Sequence, residues 1–157
     1  SGKLHEAPWL MKAPLDLSKR DRRPTLAIFE QKVCAGCDEM HAEGFPRPEV
    51  AALLKRFRAA RVDIAANEAL KTPDGKSLPM REWSRKMKIA YTPSFVFFDA
   101  SGQEVFRVEG YLRPFHLASS LDYVASGAYR KQPEFQRFIE ARAAARRAQG
   151  EKIELMK

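Results

Sequence analysis

Long hydrophobic runs are absent from this sequence. No apolar stretch approaches the ~20 residues that a membrane-spanning helix requires, and no signal-peptide pattern opens the chain. The chain has 157 residues, of which 45% are hydrophobic, so it can bury a core of its own and is too apolar to be disordered. We therefore expect one globular domain.

Cysteine is also scarce, since only Cys34 and Cys37 occur. A single pair excludes a small fold that is held together by several disulfides. A bond between residues three apart would close a very short loop and would add little chain-entropy stabilisation. A zinc site would lack its second cysteine pair. These absences favour a redox role for the two thiols.

Acidic residues are in deficit, with 20 against 28 basic residues and a net charge of +8. The excess is concentrated at Lys19-Arg20, at Arg22-Arg23 and between Arg137 and Arg147. No recognised nucleic-acid-binding motif accompanies these charges. We expect a solvated basic surface and no nucleic-acid partner.

Apolar periodicity and turn residues predict the order of the elements. The pattern predicts strands over 25–30, 61–66, 94–99 and 104–108, and helices over 35–44, 49–60, 81–88, 114–126 and 133–149. The first half of this order requires a parallel crossover and the second half a hairpin, which together give an α/β fold with a mixed sheet. We assign residues 1–23 to an N-terminal arm that packs Trp9 on the body, 24–127 to the main domain and 128–157 to a C-terminal helical extension.

The two cysteines lie where a strand runs into a helix. Cys34 is expected at the helix start, where free backbone N–H groups and the helix dipole favour a thiolate. In a C-x-x-C motif such a position lowers the pKa of a thiol from ~8.5 to roughly 3.5–7.5. Cys37 lies one turn further and is expected to be more buried. We interpret Cys34 as the nucleophile and Cys37 as the resolving thiol that attacks a mixed disulfide.

Two neighbours of the motif are possible modulators. Glu30 could accept a proton close to the thiols, although a salt-bridged or capping carboxylate is the alternative. His41 follows Cys37 by four residues and therefore lies on the same side of the helix. A protonated ring there could stabilise a thiolate and a neutral ring could join a metal site, and the alternative is a packing histidine. Further along, Thr92-Pro93 opens an apolar strand, with either a cis bond beside the redox helix or an ordinary trans bond.

Together, the strand, the C-x-x-C helix and the later Thr-Pro before an apolar hairpin resemble the thioredoxin superfamily over roughly residues 24–127. More narrowly, Phe29-Glu30-Gln31, Met40-His41 and the stretch from Tyr111 to Phe115 resemble the periplasmic thioredoxin-related proteins of the SoxW type. The expected fold is thus thioredoxin-like: a central mixed β-sheet flanked by helices, with an N-terminal arm and an extra C-terminal helix.

This resemblance implies an exported thiol–disulfide oxidoreductase, periplasmic in location, whose leader is not in this chain. It implies protein thiols or disulfides as substrates and a membrane thiol electron donor of the DsbD or CcdA type. In the superfamily the proline at this position is cis, and the residue before it offers backbone hydrogen bonds to an extended substrate segment. The resemblance assigns these roles to Pro93 and Thr92. We expect no cofactor and no metal, and a monomeric protein.

The sequence also departs from cytosolic thioredoxin. Val33 replaces the usual Trp, Ala35-Gly36 replaces Gly-Pro, and Ile28 replaces a buried acid, so proton transfer to Cys37 needs another group or water. The strongly oxidising members of the superfamily keep a His between the cysteines, and its absence here favours a reductant. An oxidase or isomerase is the alternative, as is a copper chaperone that uses the two thiolates and a histidine such as His116.

Overall fold

A computed structural model describes residues 4–111 and 113–153. Its elements, in chain order, are β1 (Thr25–Glu30), α1 (Ala35–Glu39, continued by a π-helical turn over Met40–Gly44), α2 (Pro48–Leu54), β2 (Arg58–Asp63), β3 (Ala69–Lys71), β4 (Ser77–Pro79), α3 (Met80–Lys86), β5 (Ser94–Phe98), β6 (Glu104–Glu109), α4 (Pro114–Ala125), α5 (Ala128–Lys131) and α6 (Phe135–Ala148). Within the described residues, no helix has both the length and the apolar character needed to cross a membrane.

A four-stranded mixed sheet in the order β2-β1-β5-β6 forms the centre of the fold. β1 pairs in parallel with β2 and antiparallel with β5, and β5 and β6 form a hairpin. Because β1 lies between two strands and under helices, all six of its residues are buried, which explains its continuous apolar run. The predicted mixed sheet and hairpin are confirmed.

Side chains of the sheet alternate between two apolar clusters. Leu26 and Ile28 of β1 face a cluster that includes residues of α2 and α4, and Met40 from the turn after α1. Ala27 and Phe29 face the opposite cluster, to which α3 contributes Trp83. Trp83 contacts Phe29 with 5.2 Å between ring centroids. The helices therefore cover both faces and hold β1, with the cysteines that follow it, in a fixed position.

The boundary between α2 and β2 differs from the prediction. Helix α2 ends at Leu54, and the strand begins at Arg58, whereas the sequence predicted a helix to residue 60 and a strand over 61–66. Ala59 and Ala60 are good helix formers, but both are buried in the sheet, where they pair with Leu26 and Ala27 of β1. Tertiary pairing thus overrides the local helix propensity.

Two small features were not predicted. Residues 69–71 and 77–79 form a two-stranded hairpin around a turn that contains Pro73-Asp74-Gly75, and residues 128–131 form a short helix. Each element has only three or four residues, which is too few to produce a periodic signal.

The described part of the N-terminal arm packs closely on the domain. Trp9 contacts Phe45 edge-on, with ring centroids 4.7 Å apart, as predicted. Leu10 forms a parallel bridge with Ala59 at the edge of the sheet, and Leu17 is buried in the second cluster. The arm is irregular in secondary structure but contributes to both apolar clusters. The division of the chain at residues 23 and 127 stays a prediction.

The C-terminal helix is attached by arginines that the sequence suggested were solvated. Arg142 pairs with Glu49 of α2 and with Asp122 of α4, and Arg146 also pairs with Glu49. The pKa of Glu49 is lowered, chiefly by the hydrogen bonds from Arg146 and also by those from Arg142. The expectation of a solvated basic face is therefore wrong for these two side chains, which bridge three helices.

Candidate active site

Cys34 and Cys37 form a disulfide at the start of α1. Cys34 has an extended backbone and caps the helix, since its Sγ accepts the N–H of Cys37 at 3.0 Å. Cys34 is 8% exposed and Cys37 is 1% exposed. The sulfur of Cys34 thus lies at the helix N-terminus and nearer the surface, and that of Cys37 is enclosed.

The segment Thr92-Pro93 lies against the redox helix. The peptide bond between these residues is cis. A Cβ added to Gly36 would lie 3.0 Å from Cδ of Pro93 and 3.7 Å from the carbonyl oxygen of Thr92. Gly36 therefore permits the close approach of the two segments. Gln31, just before the cysteines, donates a hydrogen bond from Nε2 to Oγ1 of Thr92 at 2.8 Å.

Two exposed apolar side chains border this site. Val33 precedes Cys34 and is 79% exposed, and Tyr91 precedes Thr92 and is 65% exposed. They are the large hydrophobic residues that the described structure leaves exposed. In the sequence, Val33 is a departure from thioredoxin, and no pattern of residues indicates a role for Tyr91. Val33 is next to Cys34 in the chain, whereas Tyr91 belongs to this site because the Thr92-Pro93 segment that follows it lies against the redox helix.

Glu30 and His41, the two possible modulators, contact each other. Glu30 ends β1 and is fully buried. Both of its carboxylate oxygens lie 3.0 Å from Nε2 of His41, which donates to them. Burying an ionised carboxylate is costly unless it is paired and hydrogen-bonded, and His41 provides that partner.

A second histidine, which sequence analysis passed over, joins this pair. The ring of His5 stacks on the ring of His41 with centroids 4.3 Å apart and planes 13° apart. Nε2 of His5 lies 2.6 Å from Oδ1 of Asp38, and this hydrogen bond is the main cause of the lowered pKa of Asp38. No local sequence signal relates residue 5 to residue 41, because their contact depends on how the arm folds back.

His116, which the copper-chaperone alternative would need, lies elsewhere in α4. Its ring contacts Phe135 at 5.4 Å between centroids, and burial lowers its pKa. Among residues 4–111 and 113–153, no group of three or more His, Cys, Asp or Glu side chains is arranged to hold a metal ion.

The disulfide at the head of a helix that follows the central strand, with the Thr92-Pro93 segment against it, defines a thioredoxin-fold thiol–disulfide oxidoreductase. A family model described as a thioredoxin-like domain matches residues 11–125. The chain therefore belongs to the thioredoxin-like domain family. No curated protein matches the chain significantly.

Solved structures show the same fold. A thioredoxin-fold protein from Helicobacter pylori is 16% identical, with a TM-score of 0.74 and coverage of 83% of this chain and 89% of that chain. A thioredoxin from Thermus thermophilus is 28% identical, with a TM-score of 0.50 and coverage of 65% and 73%. The oxidised C-terminal domain of DsbD from Neisseria meningitidis is 19% identical, with a TM-score of 0.50 and coverage of 64% and 78%.

Proposed function

We propose that the protein is an exported reductant of specific protein disulfides. The observation that carries this proposal is the position of Cys34. Its sulfur caps a helix and accepts a backbone N–H, an arrangement that stabilises a thiolate once the disulfide is reduced. Its greater exposure than that of Cys37 supports its role as the attacking group.

The reaction transfers two electrons from the dithiol to the substrate. The Cys34 thiolate attacks one sulfur of a substrate disulfide, a mixed disulfide forms, and the first substrate sulfur leaves as a thiolate that takes up a proton. Cys37 then loses its proton and attacks Sγ of Cys34. The second substrate thiolate leaves, and the Cys34–Cys37 disulfide remains, which is the state in the structure.

Glu30 and His41 are proposed to handle the proton of Cys37. A positioned carboxylate or histidine can accept a proton from a reacting group, and Ile28 occupies the position of the acid that thioredoxin uses. His41 is four residues beyond Cys37, and its ring holds the carboxylate of Glu30. The buried pair therefore offers both an acceptor and a neighbouring donor for the proton.

Thr92 and Pro93 are proposed to bind an extended segment of the substrate. Backbone hydrogen bonds would align that segment beside Cys34, and the exposed side chains of Val33 and Tyr91 favour an apolar residue near the attacked disulfide. This surface supports selection among protein disulfides over a general reducing activity.

The proposed protein acts as a net reductant and is located in the periplasm. The residues between the thiols, Ala35 and Gly36, supply no charged group like the histidine of strong oxidants, which supports net reduction. The likeness of Phe29-Glu30-Gln31 and Met40-His41 to exported proteins supports a periplasmic location. A membrane thiol protein of the DsbD or CcdA type would return Cys34 and Cys37 to the dithiol. An oxidase or isomerase is the alternative within the same fold.

Replacing each cysteine in turn tests the proposal. Cys34→Ser should abolish reduction of protein disulfides, whereas Cys37→Ser should accumulate mixed disulfides in native extracts that mass spectrometry can identify. Equilibration of the wild type with glutathione should give a potential nearer about −270 mV than about −120 mV. Full exchange activity in Cys34→Ser would show that the roles are wrong, and a potential near about −120 mV would favour the oxidase.

A further inference from the structure

The N-terminal arm reaches the redox helix through His5. The hydrogen bond between His5 and Asp38 ties the arm to the residue that directly follows Cys37. The stacked rings tie it to His41. The arm is therefore attached to this part of the helix at two points, and one of them is the partner of Glu30.

His5 covers a side of His41 that the domain itself leaves open. The ring of His41 is held by the carboxylate of Glu30 and by the edge of Phe45, whose centroid is 4.8 Å away. A cavity of about 540 Å³ also lies beside it, between the arm and the helix, and both His5 and His41 line this cavity. Without the ring of His5, His41 would have room to rotate away from Glu30.

We propose that His5 is a positioning residue for thiol–disulfide exchange and acts by holding the His41 ring in register with Glu30. This inference rests on the proposed function. Asp38 fixes His5 in turn, through its short hydrogen bond. The N-terminal arm then does more than cover the sheet edge: it supplies a side chain that orients the proton-handling pair of the active site.

The test compares His5→Ala with His5→Phe. Phe keeps an aromatic ring against His41 but cannot bond to Asp38. Single-turnover reduction of a disulfide peptide at low and at saturating concentration separates attack by Cys34 from the later step by Cys37. His5→Ala should slow the saturating rate about tenfold, because a misplaced catalytic group loses rate steeply, and should leave the low-concentration rate unchanged. His5→Phe should restore most of the loss.

A second measurement separates positioning from general loss of structure. The ¹⁵N shifts of the His41 imidazole should change in His5→Ala and return toward wild type in His5→Phe. His116→Ala, which removes a histidine that packs on Phe135, is the matched control and should change neither the shifts nor the saturating rate.

Two results would overturn the inference. One is a saturating rate in His5→Ala within about twofold of wild type, and the other is a His5→Phe variant as slow as His5→Ala. Failure of the wild type to exchange through Cys34 would instead remove the proposed function itself. A wild type that exchanges normally, with His5→Ala unchanged, would remove only the role of His5.

Discussion

Two groups of acidic and basic side chains join separate elements of this chain, and their surroundings differ. Glu30 at the end of β1 meets His41 in the turn after α1, and their side chains are 0% and 8% exposed. Glu49 and Arg142 meet between helices with side chains that are 37% and 10% exposed. In both groups a carboxylate contacts a nitrogen-containing side chain. Only in the first group are both side chains removed from water.

The difference in burial indicates that the two groups contribute differently to stability. A fully buried pair contributes little net stability, because the cost of desolvation offsets the attraction. We therefore propose that this pair is present for the chemistry of Cys37, from which His41 is separated by four residues, and not for folding. A partly exposed network costs less to form, and Arg142 also donates to Asp122 and to Ser119. That network attaches the C-terminal helix, and among the described residues none of its ion pairs includes Cys34 or Cys37.

The largest expected effect comes from removing only one member of the buried pair. His41→Leu should destabilise the fold by about 3–5 kcal/mol, because the Glu30 carboxylate is left buried without its partner. The double variant Glu30→Leu, His41→Leu should recover most of that stability while exchange stays slow. Urea unfolding and exchange rates measure the two properties. If the double variant is no more stable than His41→Leu, the buried charge is not the cause.

A smaller effect is expected when the charge of the pair is removed and its shape is kept. Glu30→Gln should slow the step by Cys37 about a hundredfold, the range of a lost acid–base group, with little change in alkylation of reduced Cys34. The control is Glu39→Gln, the same change at an exposed position of α1, which should leave both rates alone. If the Cys37 step is as fast in Glu30→Gln as in the wild type, the Glu30–His41 pair has only a structural role.

The smallest effect concerns the helical network. Arg142→Ala should destabilise the protein by about 2 kcal/mol, between the values for exposed and for buried pairs, without slowing exchange. Arg137→Ala on the same helix removes an exposed arginine whose ion-pair partner within the described part of the chain is nearby Glu134, and should change stability by less than about 0.5 kcal/mol. Loss of thiol–disulfide exchange in Arg142→Ala would show that the Glu49–Arg142 network affects the active site as well as stability.

Much of the fold could be predicted because its signals are local. The apolar run of β1, the adjoining Cys34 and Cys37, and the hairpin of β5 and β6 each have sequence signals that lie within a few residues of the structure they specify. The boundary between α2 and β2 was wrong because Ala59 and Ala60 suit either state locally. Only pairing with β1 makes them a strand.

The candidate site divides in the same way. The spacing of Cys34 and Cys37 is typical of a redox-active pair. The sequence alone therefore determined that a thiol–disulfide couple lies at the start of a helix. Tertiary structure decided which side chains surround that couple. Glu30 meets His41, His41 meets His5, and Gln31 meets Thr92 across separations of 11 to 61 residues. Such contacts depend on how the sheet and arm fold back on the helix, and no local pattern of residue types encodes that geometry.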